Sequence, residues 1–323
     1  MGMMVDGKWL EEEPPETGGT GEFKRIPSAL RHRITADGSS GFKAEAGRYH
    51  LYVGYHCPWA HRTIIFRVLK GLEDAITISY CLPFLGDDGW TYALNPETPD
   101  CTLDQVNGFH YLYEAYAASD PAYTGKVTIP VLWDKKTRTI VNNESSEIIR
   151  MLNSEFRGIA GDDTDYYPEP LRGEIDRINE FVYTRVNNGV YRCGFARTQE
   201  AYDAAFDALF SALDELEGRL ATRRFLLGER TTEADWRLFP TLVRFDPAYF
   251  SVFRCNKKRI ADYPNLENYM RELYQVPGVA GTVTPRYYVI NYYSIPKVNP
   301  TLIIPKGTPV DLGLPHDRAR LAA

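Results

Sequence analysis

From residue 48 the apolar positions recur every second residue, and RYHLYV (48–53) predicts a strand. The next stretch, GYHCPWAHRTIIFRVLKG (54–71), shifts to three- and four-residue spacing and closes on Gly71, which predicts a helix opening at Pro58. ITISYCL (76–82) predicts a second strand, TIPVLWD (128–134) and TIV (139–141) a hairpin, and ESSEIIRMLNSEF (144–156) a helix. This β-α-β … β-β-α order points to a small α/β layer. After a linker-like segment at 158–170, helical spacing takes over in LRGEIDRINEFVYTRVNNGVY, EAYDAAFDALFSALDELEGRLA, TTEADWRLFPTLVRF and PNLENYMRELYQ, ending near residue 276. Thr232 and Asp235 have the spacing of a capping box. The expected divisions are an N-terminal arm over 1–43, an α/β domain over 44–160, an all-helical domain over 161–285 and a Tyr- and Pro-rich tail over 286–323. The arm carries EEEPPETGGTGEF (11–23) and is expected to be mobile or to wrap the surface.

Composition narrows the function classes. The 323 residues are 44% hydrophobic and 25% charged, as in ordinary globular proteins, and the net charge of −6 argues against nucleic acid as a partner. No apolar run approaches the roughly 20 residues of a membrane span, and the polar, acidic N-terminus resembles neither a secretory nor a transit peptide. Five dispersed cysteines do not suggest a disulfide framework, which points to a reducing cytoplasm. The six histidines lack zinc spacing, so no metal is expected, and there is no dinucleotide or Walker loop.

The chemistry concentrates at Cys57. With Pro58 suited to the first helical position, Cys57 falls at the N-cap, where free N–H groups and the positive end of the helix dipole face its sulfur. Such a site brings a thiol pKa from about 8.5 into the range of roughly 3.5–7.5 and yields a nucleophilic thiolate. His56, His61 and Arg62 would add positive charge nearby. Ala60 stands where a C-x-x-C pair would place its second cysteine, so a mixed disulfide at Cys57 has to be resolved by an outside thiol. An inert buried cysteine is the plain alternative. Pro130 lies inside a strand pattern, which a cis Ile129–Pro130 bond that turns the Ile129 backbone toward a peptide ligand would explain, as would an edge-strand proline. In NESSEIIR (143–150) the Ser145 hydroxyl and the helix N–H groups suit a carboxylate and Glu144 an amine, with ordinary capping by Asn143 and Ser145 as the other reading.

CPWAHR, TIPVLWD and NESSEIIR resemble the thioredoxin-fold half of a cysteine-type glutathione transferase. GDDGWTY (86–92), NNGVYRCGFA (187–196), TTEADWRLFPTLVRFDP (231–247) and RIADYPNLENYMRELYQVPGV (259–279) narrow the resemblance to the Xi class, the glutathionyl-hydroquinone reductases, over about residues 36–305. It implies a cytosolic glutathione transferase architecture: an α/β thioredoxin-like N-terminal domain followed by an all-α C-terminal domain. It also implies a homodimer, glutathione as co-substrate and a glutathionylated aromatic substrate. By this match Cys57 is the catalytic cysteine and Trp90 packs on glutathione. Lys126 stands where the family usually has an arginine, keeping the charge without the bidentate fork. Ile129 pairs with the tripeptide backbone, and Glu144 and Ser145 hold its γ-glutamyl end. Tyr191 holds the hydroquinone hydroxyl, and Tyr292 matches a second such tyrosine, with Tyr287, Tyr288 and Tyr293 as competitors.

Departures from the family pattern cluster where an aromatic would bind. Tyr55-His56 precedes the cysteine in place of small residues, TPRYYVIN (284–291) replaces a histidine-bearing segment, and YYSIPKVNP lacks the usual Ser-His. The implied reaction is attack of the Cys57 thiolate on the glutathione sulfur, release of hydroquinone, and resolution of the mixed disulfide by a second glutathione. Thioltransferase, β-etherase and reductive dehalogenase chemistry at the same cysteine are alternatives, as is a scaffold without catalysis.

Overall fold

Every residue of the strand Tyr49–Val53 is buried, because a central strand is covered on both faces. The structure is a computed structural model that describes residues 2–11, 19–84, 86–307 and 311–321. It divides into two compact units, Met1–Thr17 with Ile26–Thr164 and Gly18–Arg25 with Asp165–Ala323.

The first unit contains β1 (Met3–Val5), β2 (Lys8–Leu10), β3 (Ile34–Thr35), β4 (Phe42–Lys43), β5 (Tyr49–Val53), α1 (Pro58–Leu69), β6 (Ile76–Tyr80), α2 (Leu112–Ser119), β7 (Gly125–Lys126), β8 (Val131–Asp134), β9 (Thr139–Asn142) and α3 (Ser145–Ser154). Its main sheet runs β6-β5-β8-β9, with β5 parallel to β6 and the other pairs antiparallel. Helix α1 packs on α3, and α2 on β9. The strands and helices read from periodicity are all present. Helix α2 is an addition: YLYEAYAAS is apolar and small on several faces, so it shows no clean period. Glu114 fixes its start by accepting the N–H groups of His110 and Tyr111 at 2.7 and 2.8 Å.

Residues 1–43, expected as one arm, instead divide between the units. Strands β1 and β2 form a hairpin over Asp6-Gly7, whose φ values of 48° and 74° suit a tight primed turn, and β1 pairs with β7. Farther on, the chain lies along β9, with His32 N–H donating to Val141 O at 2.9 Å and Asn143 N–H to Leu30 O at 3.0 Å. Residues 12–18, most of the Pro- and Glu-rich patch, lie outside the described residues.

The second unit contains α4 (Arg172–Val182), α5 (Gly189–Gly194), α6 (Gln199–Leu220), α7 (Glu233–Arg244), α8 (Phe250–Val252), α9 (Pro264–Tyr274) and α10 (Pro285–Tyr293). Helix α6 buries Ala201, Ala205, Leu209, Leu213, Leu216 and Leu220 on one face, as its spacing predicts. Thr232 and Asp235 form the expected capping box of α7. Wide π-helical turns follow α4 and α7, and the second carries Tyr249. The segment expected as a tail packs into this unit: Arg318 is fully buried and donates to the carbonyls of Leu220 and Arg224, each at 2.7 Å.

Candidate active site

Cys57 is the N-cap of α1, with extended backbone (φ −80°, ψ 122°) and Pro58 opening the helix. Its sulfur accepts the Ala60 N–H at 3.5 Å and, as a thiol, donates toward Ile129 O at 3.7 Å. The helix end therefore offers a fixed donor and its dipole to a sulfur anion. The Ile129–Pro130 bond is cis, and the segment that bears it is tied down by Tyr116. That phenol donates to Thr128 O at 2.9 Å and accepts from Thr128 N at 3.2 Å and from Asn143 Nδ2 at 3.0 Å. Ile129 and the start of α3 are thereby held to one hydrogen-bond hub.

At that start, Glu144 rather than Asn143 is the N-cap. Its carboxylate accepts the Ser146 N–H at 3.0 Å and hydroxyls from Ser146 at 2.8 Å and Ser28 at 3.2 Å. Ser145 is buried and accepts from Arg62 Nη1 at 3.4 Å, which links α3 to α1. Arg62 also lies 4.6 Å from the Trp59 ring. The role of Ser28 has no local signal, because it lies 116 residues from its partner Glu144.

Trp90 stacks on His56, next to the cysteine, with centroids 4.7 Å apart. Gly54 is required here: a Cβ would fall 2.4 Å from His56 Cε1 and 2.8 Å from Cys81 Sγ. Lys126 lies on β7 opposite Met3, and its carbonyl accepts the Tyr123 hydroxyl at 3.0 Å. Burial pushes the Cys81 thiol well up and the Cys101 thiol to about 11, so neither competes with Cys57 as a thiolate. All five cysteines are free.

In the helical unit the Tyr191 and Tyr292 hydroxyls meet at 2.7 Å, and Tyr292 meets Tyr249 at 2.9 Å. Tyr249 and Tyr292 are buried, and desolvation pushes both phenols well above their ordinary range. They stay protonated at neutral pH, while Tyr191 is partly exposed. Tyr288 is engaged elsewhere, with Arg244 3.8 Å over its ring and its hydroxyl accepting from Thr284 N at 3.1 Å. Tyr287 and Tyr293 are buried. Tyr249 escaped sequence reading because it sits in a π-helical turn, off the regular helical register.

Residues 56–155 match the family model "Glutathione S-transferase, N-terminal domain", and residues 199–272 match "Glutathione S-transferase, C-terminal domain". The glutathionyl-hydroquinone reductase PcpF of Sphingobium chlorophenolicum is 51% identical over 308 residues, 95% of this chain and 96% of that one. A Xi-class glutathione transferase from Natrialba magadii aligns with a TM-score of 0.92 at 45% identity, covering 100% of this chain and 98% of that one. The glutathione-bound structure of YqjG, a glutathione transferase homologue from Escherichia coli K-12, aligns with a TM-score of 0.91 at 46% identity, covering 98% and 99%.

Proposed function

This chain belongs to the glutathione transferases, among the Xi-class glutathionyl-hydroquinone reductases, and we propose that it removes glutathione from S-glutathionyl-hydroquinones through Cys57. The observation that carries the reading is the Cys57 sulfur at the N-cap of α1, with the Ala60 N–H upon it and no cysteine one turn on. The thiolate attacks the glutathione sulfur, an S–S bond forms, and the S–C(aryl) bond breaks. The ring, already carrying a proton at the sulfur-bearing carbon as its keto tautomer, keeps the bonding electron pair as a phenolate and takes up a proton at oxygen, leaving as hydroquinone. The thiolate of a second glutathione then attacks the mixed disulfide, so that oxidised glutathione departs and the Cys57 thiolate returns.

In this reading Trp90, Lys126, the Ile129 backbone, Glu144 and Ser145 bind glutathione, and Tyr191 and Tyr292 hold the ring hydroxyl. Support for the first group is family position, together with the closeness of Ile129 to the sulfur and the helix start at Glu144-Ser145. Support for the tyrosines is their short hydroxyl contact. The same reading includes a cytoplasmic homodimer. Its support is family membership and, for a reducing compartment, the five free thiols. Among the described residues no helix is long and apolar enough to cross a membrane.

The test is turnover of a glutathionyl-hydroquinone with glutathione, read as hydroquinone release, for the wild type and for Cys57→Ala. Release by the first and none by the second is expected. Glutathione binding without release by either would sink the reductase reading in favour of another glutathione reaction or a scaffold.

A further inference from the structure

Residues 20–25 lie along α5 as an extended strip running opposite to the helix. Thr198 Oγ1 donates to Thr20 O at 3.5 Å, Arg197 N–H donates to Gly21 O at 2.9 Å, and Glu22 sits 3.8 Å from Arg192 Nη2. Phe23 stacks on Tyr191 and lies tilted against Phe195, with centroids 6.3 and 5.4 Å away. Arg25 Nε donates to Asn188 Oδ1 at 3.0 Å, and its guanidinium carbon stands 4.7 Å from the Tyr191 ring centroid. Exposure alternates along the strip: Glu22 and Lys24 point outward, while Gly21, Phe23 and Arg25 are half-buried. Gly21 has φ +70° and room for no Cβ, which would fall 2.5 Å from Thr198 Cγ2. The strip is thus shaped to its helix, and two of its inward residues, Phe23 and Arg25, meet at one side chain, Tyr191.

Resting on the role given to Tyr191 above, we propose that residues 20–25 are a strap that completes the aromatic-substrate site, and that Arg25 is a positioning residue acting on the substrate through the Tyr191 ring. A cation on the face of a phenol ring draws electron density from it and restrains its tilt. The Tyr191 hydroxyl, which already shares a 2.7 Å hydrogen bond with Tyr292, becomes a stronger and better aimed donor. With the ring held as its keto tautomer, one hydroxyl proton having passed to the sulfur-bearing carbon, the electron pair released when the S–C bond breaks is shared with the ring carbonyl oxygen. A donor at that oxygen is worth most when that charge is greatest. Rings that carry chlorine spread the charge themselves and need the donor less.

The experiment compares full-length wild type, Arg25→Lys and Arg25→Gln on glutathionyl-hydroquinones with zero to three ring chlorines. It records kcat and KM for each, with thermal midpoints alongside. Arg25→Gln should lower kcat about 3- to 30-fold on the unsubstituted ring, with the loss shrinking as chlorines are added. Arg25→Lys should retain most of the activity, because the positive charge remains. An equal loss on every ring, or equal losses for Lys and Gln, would reduce the strap to a structural brace and overturn the proposal while leaving the reductase reading intact. Absence of turnover by the wild type would overturn both.

Discussion

Replacing Tyr292 by phenylalanine deletes one oxygen and leaves the ring that packs against Tyr249 and Phe253, with centroids 5.0 and 5.3 Å away. No cavity of consequence opens, so the effect isolates the hydroxyl. That hydroxyl takes part in two hydrogen bonds, at 2.7 Å to Tyr191 and 2.9 Å to Tyr249. At a net worth of about 1 kcal/mol each, their loss costs about 2 kcal/mol, more if the buried Tyr249 hydroxyl is left poorly served. Tyr249→Phe deletes the shared bond and should cost about 1 kcal/mol. The double variant loses the shared bond once, so its cost should fall short of the sum of the singles by about 1 kcal/mol. Urea unfolding of the four proteins measures this coupling. Strict additivity, or a Tyr292→Phe variant as stable as wild type, would refute a hydroxyl cluster held through Tyr292. On the role proposed for Tyr191, Tyr292→Phe should lower kcat more than it changes KM, because a donor at the ring oxygen counts most in the transition state.

Three further outcomes are expected. Ala60→Cys puts a second thiol one turn from Cys57, beside the N–H now 3.5 Å from its sulfur. Intact-mass spectrometry after glutathione treatment should then show an internal disulfide in place of a glutathione adduct, and a persistent adduct would contradict this. Gly54→Ala should destabilise the first unit by about 1–3 kcal/mol through the clash with His56 and Cys81, and should alter tryptophan emission as His56 moves against Trp90; an unchanged melting curve and spectrum would show that the loop yields. Burial lowers the His50 pKa to about 3, with its Nδ1 2.8 Å from Thr77 Oγ1. The unfolded chain binds this proton below about pH 6.5 and the folded one does not. The stability associated with neutral His50 is therefore complete above pH 6.5 and lost progressively down to about pH 3, with a ceiling of roughly 5 kcal/mol. His50→Gln should flatten that acid limb, and an unchanged slope would remove His50 as its source.

The parts of the fold that were legible in the sequence are those decided by near neighbours. The strand at 49–53, the helix that starts at Pro58 and the capping box at Thr232 each depend on residues within one turn or one strand, so apolar spacing and capping residues report them directly. The meeting of Cys57 with the N-terminus of α1 is legible for the same reason: a cap is an interaction between residues i and i+3. Helix α2 and the hairpin of β1 and β2 were not legible. The first is too evenly apolar to show a period, and each strand of the second spans just 3 residues.

Local pattern alone thus established the two-part architecture, the place of Cys57 at the N-cap of α1 and the absence of a second cysteine at Ala60. The folded chain alone brings Ser28 to Glu144, Tyr249 to Tyr292 and Tyr191, and Arg25 over Tyr191. Those pairs are separated by 116, 43 and 101, and 166 positions, Arg25 being further anchored to Asn188 across 163. Nothing in the local pattern of a hydroxyl or a guanidinium marks a partner so distant. Contacts of that kind come about when helices and strands pack, and packing depends on the whole chain at once.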